Sequence, residues 1–410
     1  MKVSDINKEV VAIVKSIKVL DKISWPYKVE EKFLESLKKG QRVNLNFKYP
    51  KMNYREEVDL LKKYLPFLST DNPLEIFTRN TVQSYLNALE MIHSVGTSRF
   101  QELSEKEYGR PSHLLFGSQY SHLDTAKKFL DSYHQFEHPY LKEEELIYTA
   151  KDLKKFLQKD SRIVFGDEAP KFQITSKITA KAAAAKSKVR IRKNAEFTKY
   201  DFSQLLVHEV MTHSLTGING NQQTELLLLS QGAPRTTKTQ EGLATFSEVI
   251  TGSLDLARLK RISLRVIAID MALSGADLYD LFKYFKENGQ DDKESYLSAS
   301  RILRGGHAKG GIVFTKDGVY LEGLIRVHSF FRWAFKTQNL DLVHLLFCGR
   351  LDINDIFLLK DEYKRGVIKA PKFLPDWYQH IDLLAGKMAF SLILNGIDLN
   401  LVEEHFEKKF

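Results

Sequence analysis

The 410-residue sequence contains a single cysteine, Cys348, so no disulfide can form within the chain. This shortage is typical of proteins that work in a reducing cytosol, and we therefore expect a cytoplasmic location. The ten prolines and 22 glycines are too few for a disordered or collagen-like chain. With 43% hydrophobic residues, a chain of this length can bury a full core without disulfides.

Long apolar runs are also missing. Apolar runs such as residues 226–229 and 342–348 fall far short of the roughly 20 residues that a membrane span requires. Charged residues interrupt the N-terminal segment, which therefore lacks the apolar region of a signal peptide. We expect no membrane insertion. The net charge of +9 could favour an acidic partner, but no nucleic-acid-binding motif accompanies it, so we expect no nucleic acid to bind.

Apolar residues recur at helical spacing through most of the chain. Residues 1–70 predict an N-terminal helical lead-in, and residues 71–410 a second domain that holds the motifs described below. Between residues 162 and 197 the β-prone runs RIVF, FQITSKITA and KVRIR indicate a small sheet, while residues 182–185 could be strand or helix. The predicted fold class is α+β, predominantly helical, with a small β-sheet next to the helix that contains residues 208–213.

The segment LLVHEVMTHSLTG holds His208, Glu209 and His213 in the order H-E-x-x-x-H. Imidazole nitrogens bind Zn²⁺ well, and a glutamate beside the first histidine can act on a zinc-bound water as general base. This motif is one residue longer than the usual zinc-peptidase motif, and residues five apart lie about 140° apart around an α-helix. A π-bulge would return both histidines to one face, so we predict one between Glu209 and His213.

The flanking residues indicate where this helix begins and ends. Thr198 and Asp201 fit a capping box at its start, and Gly217 fits a C-cap at its end. An alternative interpretation of the motif is a pair of buried histidines without a metal.

A catalytic zinc site needs a third protein ligand and an open position for water. Glu241, in the segment KTQEGLATFSEVITG, is the candidate, and Glu248 lies two turns further along the same helix face. The order of two histidines followed by a glutamate on the next long helix is that of the two-His, one-Glu zinc peptidases. Glu241 could instead do no more than favour a helix N-terminus electrostatically.

At three places the sequence resembles the bacterial QEGLA-motif proteins, whose animal relatives are the microtubule-associated tyrosine carboxypeptidases. These are HEVMTH at residues 208–213, QEGLA at residues 240–244, and RGG with GGIVFTKDGVYLEG within residues 304–323. The resemblance extends over most of the chain beyond about Trp25. It implies that His208, His213 and Glu241 hold zinc and that Glu209 is the general base. Removal of a C-terminal tyrosine is implied for the animal branch only.

Basic and aromatic side chains near these motifs are candidates for substrate binding. A guanidinium can bind a terminal carboxylate through two hydrogen bonds, and residues of a glycine-rich loop can stabilise an oxyanion. Basic residues alternate from Lys186 to Arg192, which predicts the basic face of an edge strand that could pair with an acidic peptide, although an ordinary solvated face explains the pattern too. The candidates are Arg301, Arg304, His307, Tyr320, Arg326, Lys188 and Arg190.

Together these features predict a zinc metallopeptidase whose catalytic domain spans residues 71–410 and binds one Zn²⁺ per chain. We expect a carboxypeptidase that removes a C-terminal residue, with tyrosine as one possibility, from a peptide or protein tail that could be acidic. The alternative is a catalytically inactive, metal-stabilised scaffold that binds acidic protein tails. Glu209 favours the enzyme, because a purely structural zinc site needs no base beside its ligand.

Overall fold

The computed structural model describes residues 1–137, 146–185, 187–394, 398, 401–402 and 405–406. Helices dominate this part of the chain and accompany a small mixed sheet, which confirms the predicted fold class. The helices before the sheet are α1 (Val3–Val14), α2 (Val19–Ile23), α3 (Tyr27–Lys38), α4 (Arg55–Tyr64), α5 (Pro73–His93), α6 (Ser98–Tyr108), α7 (His122–Phe136) and α8 (Ala150–Phe165).

Three strands follow, β1 (Lys171–Thr175), β2 (Ala182–Ala185) and β3 (Lys188–Arg192). The remaining helices are α9 (Lys199–Leu205), α10 (Leu215–Gly220), α11 (Thr237–Ile250), α12 (Leu256–Leu273), α13 (Leu278–Glu287), α14 (Asp292–Leu303), α15 (Val319–Lys336), α16 (Leu345–Cys348), α17 (Ile353–Lys364), α18 (Asp376–Gln379) and α19 (Ile381–Leu394). A π-helix, Leu206–Ser214, joins α9 to α10, and short 3₁₀ turns connect several of the others. No helix in the described ranges is long and apolar enough to cross a membrane.

The sheet has the order β1-β3-β2, with β3 parallel to β1 and antiparallel to β2. The expectation that the basic strand lies at an edge is therefore wrong, because β3 uses its backbone groups on both sides. Val189 and Ile191 of β3 are buried in the core, which turns the basic side chains of this strand to the other face. Lys186, which was expected to begin the basic alternation, lies outside the described residues.

A second correction concerns residues 162–165, which were expected to form a strand and instead complete α8. A capping box of Thr149 and Asp152 starts this helix. Leu153, Leu157 and Phe165, which are four and eight residues apart, are buried on one face of this helix. The helical pattern therefore continues through the β-prone residues. Residues 182–185, which were open between strand and helix, form β2.

The N-terminal helices contribute to the same core as the rest of the chain. Ile6 of α1 and Leu61 of α4 are fully buried in the main hydrophobic cluster, together with Val210 and Phe246. Phe33 of α3 belongs to a second cluster around α13 and α14. The division of the chain at residue 70 stays a prediction.

Helices α11 and α15 touch backbone to backbone. A Cβ atom added to Gly242 would lie 2.7 Å from the Cα of Gly323, far inside the carbon–carbon contact distance of about 3.5–4.0 Å. Only glycine on both helices allows this approach. The contact places Glu241 of α11 and Tyr320 of α15 beside the π-helix.

Candidate metal centre

The π-helix Leu206–Ser214 contains both histidines of the H-E-x-x-x-H motif. Its hydrogen bonds connect residues five apart, so His208 and His213 lie on one face, with ring centres 4.9 Å apart. The predicted π-bulge is confirmed, and it extends over nine residues rather than a single turn. Its geometry explains why a spacing too long for an α-helix still brings the two imidazoles together.

The predicted boundaries of this helix are right at one end only. Thr198 and Asp201 form the expected capping box at the start of α9. Gly217 does not end the helix, because α10 continues to Gly220 and every residue of α10 is buried. Packing of α10 against the core therefore overrides the helix-ending tendency of the glycine, which does not adopt a positive φ.

Glu241 completes a triangle with the two histidines. Its Oε2 lies 3.3 Å from His208 Nε2 and 3.4 Å from His213 Nε2, and one ligand atom from each of the three residues lies within 4.8 Å of the others. Oε2 is buried and has no hydrogen-bond partner. Two imidazole nitrogens and an unsatisfied carboxylate oxygen that converge in this way fit a zinc ion, which prefers such N and O ligands.

A buried carboxylate orients the first histidine. Glu248 Oε1 lies 2.6 Å from His208 Nδ1, which leaves Nε2 of the ring to face Glu241. Gln204 and Arg258 also donate to Glu248. Burial by itself would raise the pKa of Glu248, but Arg258 and His208 hold this pKa at about 2, so the carboxylate stays charged. A carboxylate behind a metal-binding histidine fixes its tautomer and raises its basicity.

The sequence predicts that Glu248 lies on the helix face of Glu241, but this role of Glu248 was not expected. The spacing of seven residues, two turns of a helix, was the only signal in the sequence. Lys316 is a candidate in the sequence for oxyanion stabilisation or substrate binding, but its pairing with Glu241 was not expected. Its Nζ lies 3.1 Å from Glu241 Oε1, so one oxygen of Glu241 is held and the other faces the histidines. Although burial opposes it, the charge of Glu241 raises the pKa of Lys316.

Glu209 lies beside the triangle and is held by the sheet. The backbone N–H of Ala184 on β2 donates to Glu209 Oε2 at 2.6 Å, and Ser214 donates to the carbonyl of Ala185 at 3.3 Å. The π-helix is therefore docked on β2, which is an edge strand of the sheet. Glu209 is buried. The hydrogen bond from Ala184 gives its carboxylate a defined position.

Tyr320 is the substrate-binding candidate that the structure places at the triangle. Its ring stacks on that of His208, with centres 6.3 Å apart and planes 23° apart. The cationic groups of Arg258, Arg265 and Lys316 lie 5.4–5.8 Å from the centre of the Tyr320 ring. Three basic side chains therefore surround the Tyr320 ring, two of which are paired with carboxylates, Arg258 with Glu248 and Lys316 with Glu241.

The other candidates have different surroundings. Arg301 is hydrogen-bonded to Asp317, and Arg304 lies 3.6 Å from the same carboxylate. Arg326 lies 3.7 Å from Asp352 in a polar cleft of about 350 Å³ whose lining contains none of the three triangle residues. His307 is exposed and contacts the rings of Phe47 and Tyr49. Lys188 and Arg190 lie on the central strand β3, with Lys188 exposed.

A family model described as microtubule-associated tyrosine carboxypeptidase matches residues 31–396. The chain belongs to this family. The matched residues include the π-helix, Glu241 and Tyr320. A search of curated proteins found no similar protein. Membership of the tyrosine carboxypeptidase family supports a carboxypeptidase-like role, with a peptide or protein tail as the partner.

Proposed function

We propose that the protein is a zinc-dependent carboxypeptidase in which His208, His213 and Glu241 hold one zinc ion. The observation that carries this proposal is the buried Glu241 Oε2, which faces two imidazole nitrogens at 3.3 and 3.4 Å and has no hydrogen-bond partner. An anionic oxygen buried without a partner is costly, and a cation at the centre of the triangle would offset that cost.

Zinc in this position would lower the pKa of a bound water and polarise the carbonyl of the scissile bond. The protein supplies the proton transfers. Glu209, oriented by the N–H of Ala184, takes a proton from the attacking water and returns it to the leaving amine. Glu248 keeps the His208 ring oriented during this cycle, and Lys316 keeps Glu241 oriented.

The substrate that we propose is a peptide or protein tail with a free C-terminus. The positive charges around Tyr320 suit an anionic group close to the scissile bond. The description of the family names tyrosine, so we propose tyrosine as the C-terminal residue to test first. The net charge of +9 would favour an acidic tail. We also propose a cytoplasmic location, in keeping with the single, buried Cys348.

The test combines metal analysis with a cleavage assay. Elemental analysis of the purified protein should give about one zinc per chain. The loaded protein should release tyrosine from peptides that end in a free tyrosine, as detected by mass spectrometry. Glu209→Gln keeps the shape of the side chain and should retain zinc but lose turnover.

Two outcomes would contradict the proposal. A Glu209→Gln protein with full turnover would remove Glu209 from the mechanism. A protein that binds zinc through the three residues but cleaves no free-acid peptide would be the metal-stabilised scaffold instead.

A further inference from the structure

Three arginines share one buried aspartate next to Tyr320. Arg301 donates to both oxygens of Asp317, from Nε at 2.6 Å and from Nη2 at 3.0 Å. Arg304 Nη2 lies 3.6 Å and Arg265 Nε 4.0 Å from the same carboxylate, too far for hydrogen bonds. A single carboxylate balances one guanidinium, and Arg301 already occupies both of its oxygens. The cluster therefore contains two guanidinium groups whose charge is not matched.

Both of these groups are largely withdrawn from water. Arg304 is 6% exposed, and its buried Nε has no hydrogen-bond partner. The side chain of Arg265 is 16% exposed. Burial, and after it Arg301, lowers the pKa of Arg265 to about 10, and burial lowers the pKa of Arg304 to about 10 as well. Burying a cation without a matched anion is unfavourable, and a bound anion would offset this cost.

The cluster lies within reach of the proposed metal centre. The guanidinium carbon of Arg265 is 5.6 Å from the centre of the Tyr320 ring, and that ring stacks on His208. In a peptide, three covalent bonds separate the last scissile carbonyl carbon from the terminal carboxylate carbon, a distance of at most about 4.3 Å. A group that binds this carboxylate must therefore lie within about the length of one side chain from the metal ligands. Arg265 and His208 both lie next to the same side chain, that of Tyr320.

We propose that Arg265 and Arg304 form an anion subsite that binds the terminal carboxylate of the substrate, while Arg301 holds Asp317 in place. This assignment rests on the proposed carboxypeptidase function and makes it more specific. Arg301 and Arg326, which the sequence suggested for substrate binding, are not part of this subsite. Arg301 is hydrogen-bonded to Asp317, and Arg326 lies in another cleft. Two guanidinium groups can bind one carboxylate through several charge-assisted hydrogen bonds.

The first test measures binding rather than turnover. Calorimetry with the zinc-loaded Glu209→Gln protein should show tighter binding of a peptide that ends in a free tyrosine than of the same peptide with an amidated C-terminus. Adding Arg265→Met should weaken binding of the free-acid peptide at least tenfold and leave the affinity for the amidated peptide unchanged. Arg265→Lys should weaken binding of the free-acid peptide by a smaller factor. Arg99→Met is the matched control, because this exposed arginine pairs with Glu90 and Glu102 and its loss removes the same charge.

The second test measures stability. Loss of Arg265 relieves an unmatched charge, so the melting temperature of Arg265→Met should equal or exceed that of the wild type. Arg301→Met removes two hydrogen bonds to a buried carboxylate and should melt at a lower temperature. A large fall in the melting temperature of Arg265→Met would show that Arg265 stabilises the fold as a partner of Asp317, which would overturn the subsite.

The outcomes also separate this proposal from the one on which it rests. Equal cleavage of free-acid and amidated peptides by the wild type would contradict the carboxypeptidase function itself. A wild type that prefers the free acid, with the same preference in both Arg265→Met and Arg304→Met, would leave the function intact and overturn the subsite.

Discussion

The contact between Gly242 and Gly323 predicts that replacing glycine by alanine within a helix will destabilise this protein, although the same replacement usually stabilises a helix. In an exposed helix, replacing glycine by alanine stabilises the protein by up to about 1 kcal/mol. In Gly242→Ala, however, the new Cβ would lie 2.7 Å from the Cα of Gly323, which is backbone and cannot rotate away. Helices α11 and α15 would have to separate. Overpacking of this kind costs about 1–3 kcal/mol, and a backbone contact belongs at the upper end of that range.

We therefore expect Gly242→Ala to lower the free energy of unfolding by about 2 kcal/mol, after the gain in helix propensity is subtracted. Chemical denaturation measures this change. Since Glu241 precedes Gly242, displacement of α11 would also move Oε2 away from His208 and His213. The affinity for zinc, measured by competition with a chelator, should fall together with the stability.

Gly386→Ala provides the matched control. Gly386 lies inside α19, and a Cβ added there would meet nothing within 4 Å. This variant should be as stable as the wild type or up to about 1 kcal/mol more stable, with unchanged zinc affinity. A Gly242→Ala protein that matches Gly386→Ala in stability and in zinc affinity would refute the reasoning.

Three further predictions concern the residues around the metal centre and the glycine-rich loop. His213→Ala should reduce the zinc content well below one per chain by elemental analysis, and a full complement of zinc would show that His213 is not a ligand. Glu248→Gln should weaken zinc binding by about 10- to 100-fold in a chelator competition while the circular dichroism spectrum stays unchanged. Gly305→Ala should lower the melting temperature strongly, because Gly305 has a φ of +83° and its new Cβ would lie 2.5 Å from a ring carbon of Phe100.

Local features of the site were predictable from the sequence. The number of residues between His208 and His213 determines which helix geometry can bring them together, so the spacing alone predicted a π-helical segment. The capping box of Thr198 and Asp201 is equally local, because its hydrogen bonds join residues three apart. The predominantly helical fold follows from apolar periodicity, which acts over one or two turns.

The tertiary structure decided which residues meet over long distances. Five arginine and lysine side chains lie around Tyr320 and Asp317, and composition cannot tell which of them are already paired; they are Arg258, Arg265, Arg301, Arg304 and Lys316.

In the folded protein Glu248 pairs with Arg258, Asp317 with Arg301 and Glu241 with Lys316. Arg265 and Arg304 are left without a matched carboxylate. The sequence also did not predict that β3 lies in the middle of the sheet, because strand order depends on partners distant in sequence. A side chain's type and spacing set its chemistry and its local conformation. Its partner, and therefore whether it is free to bind a ligand, depends on which helices the whole fold brings together.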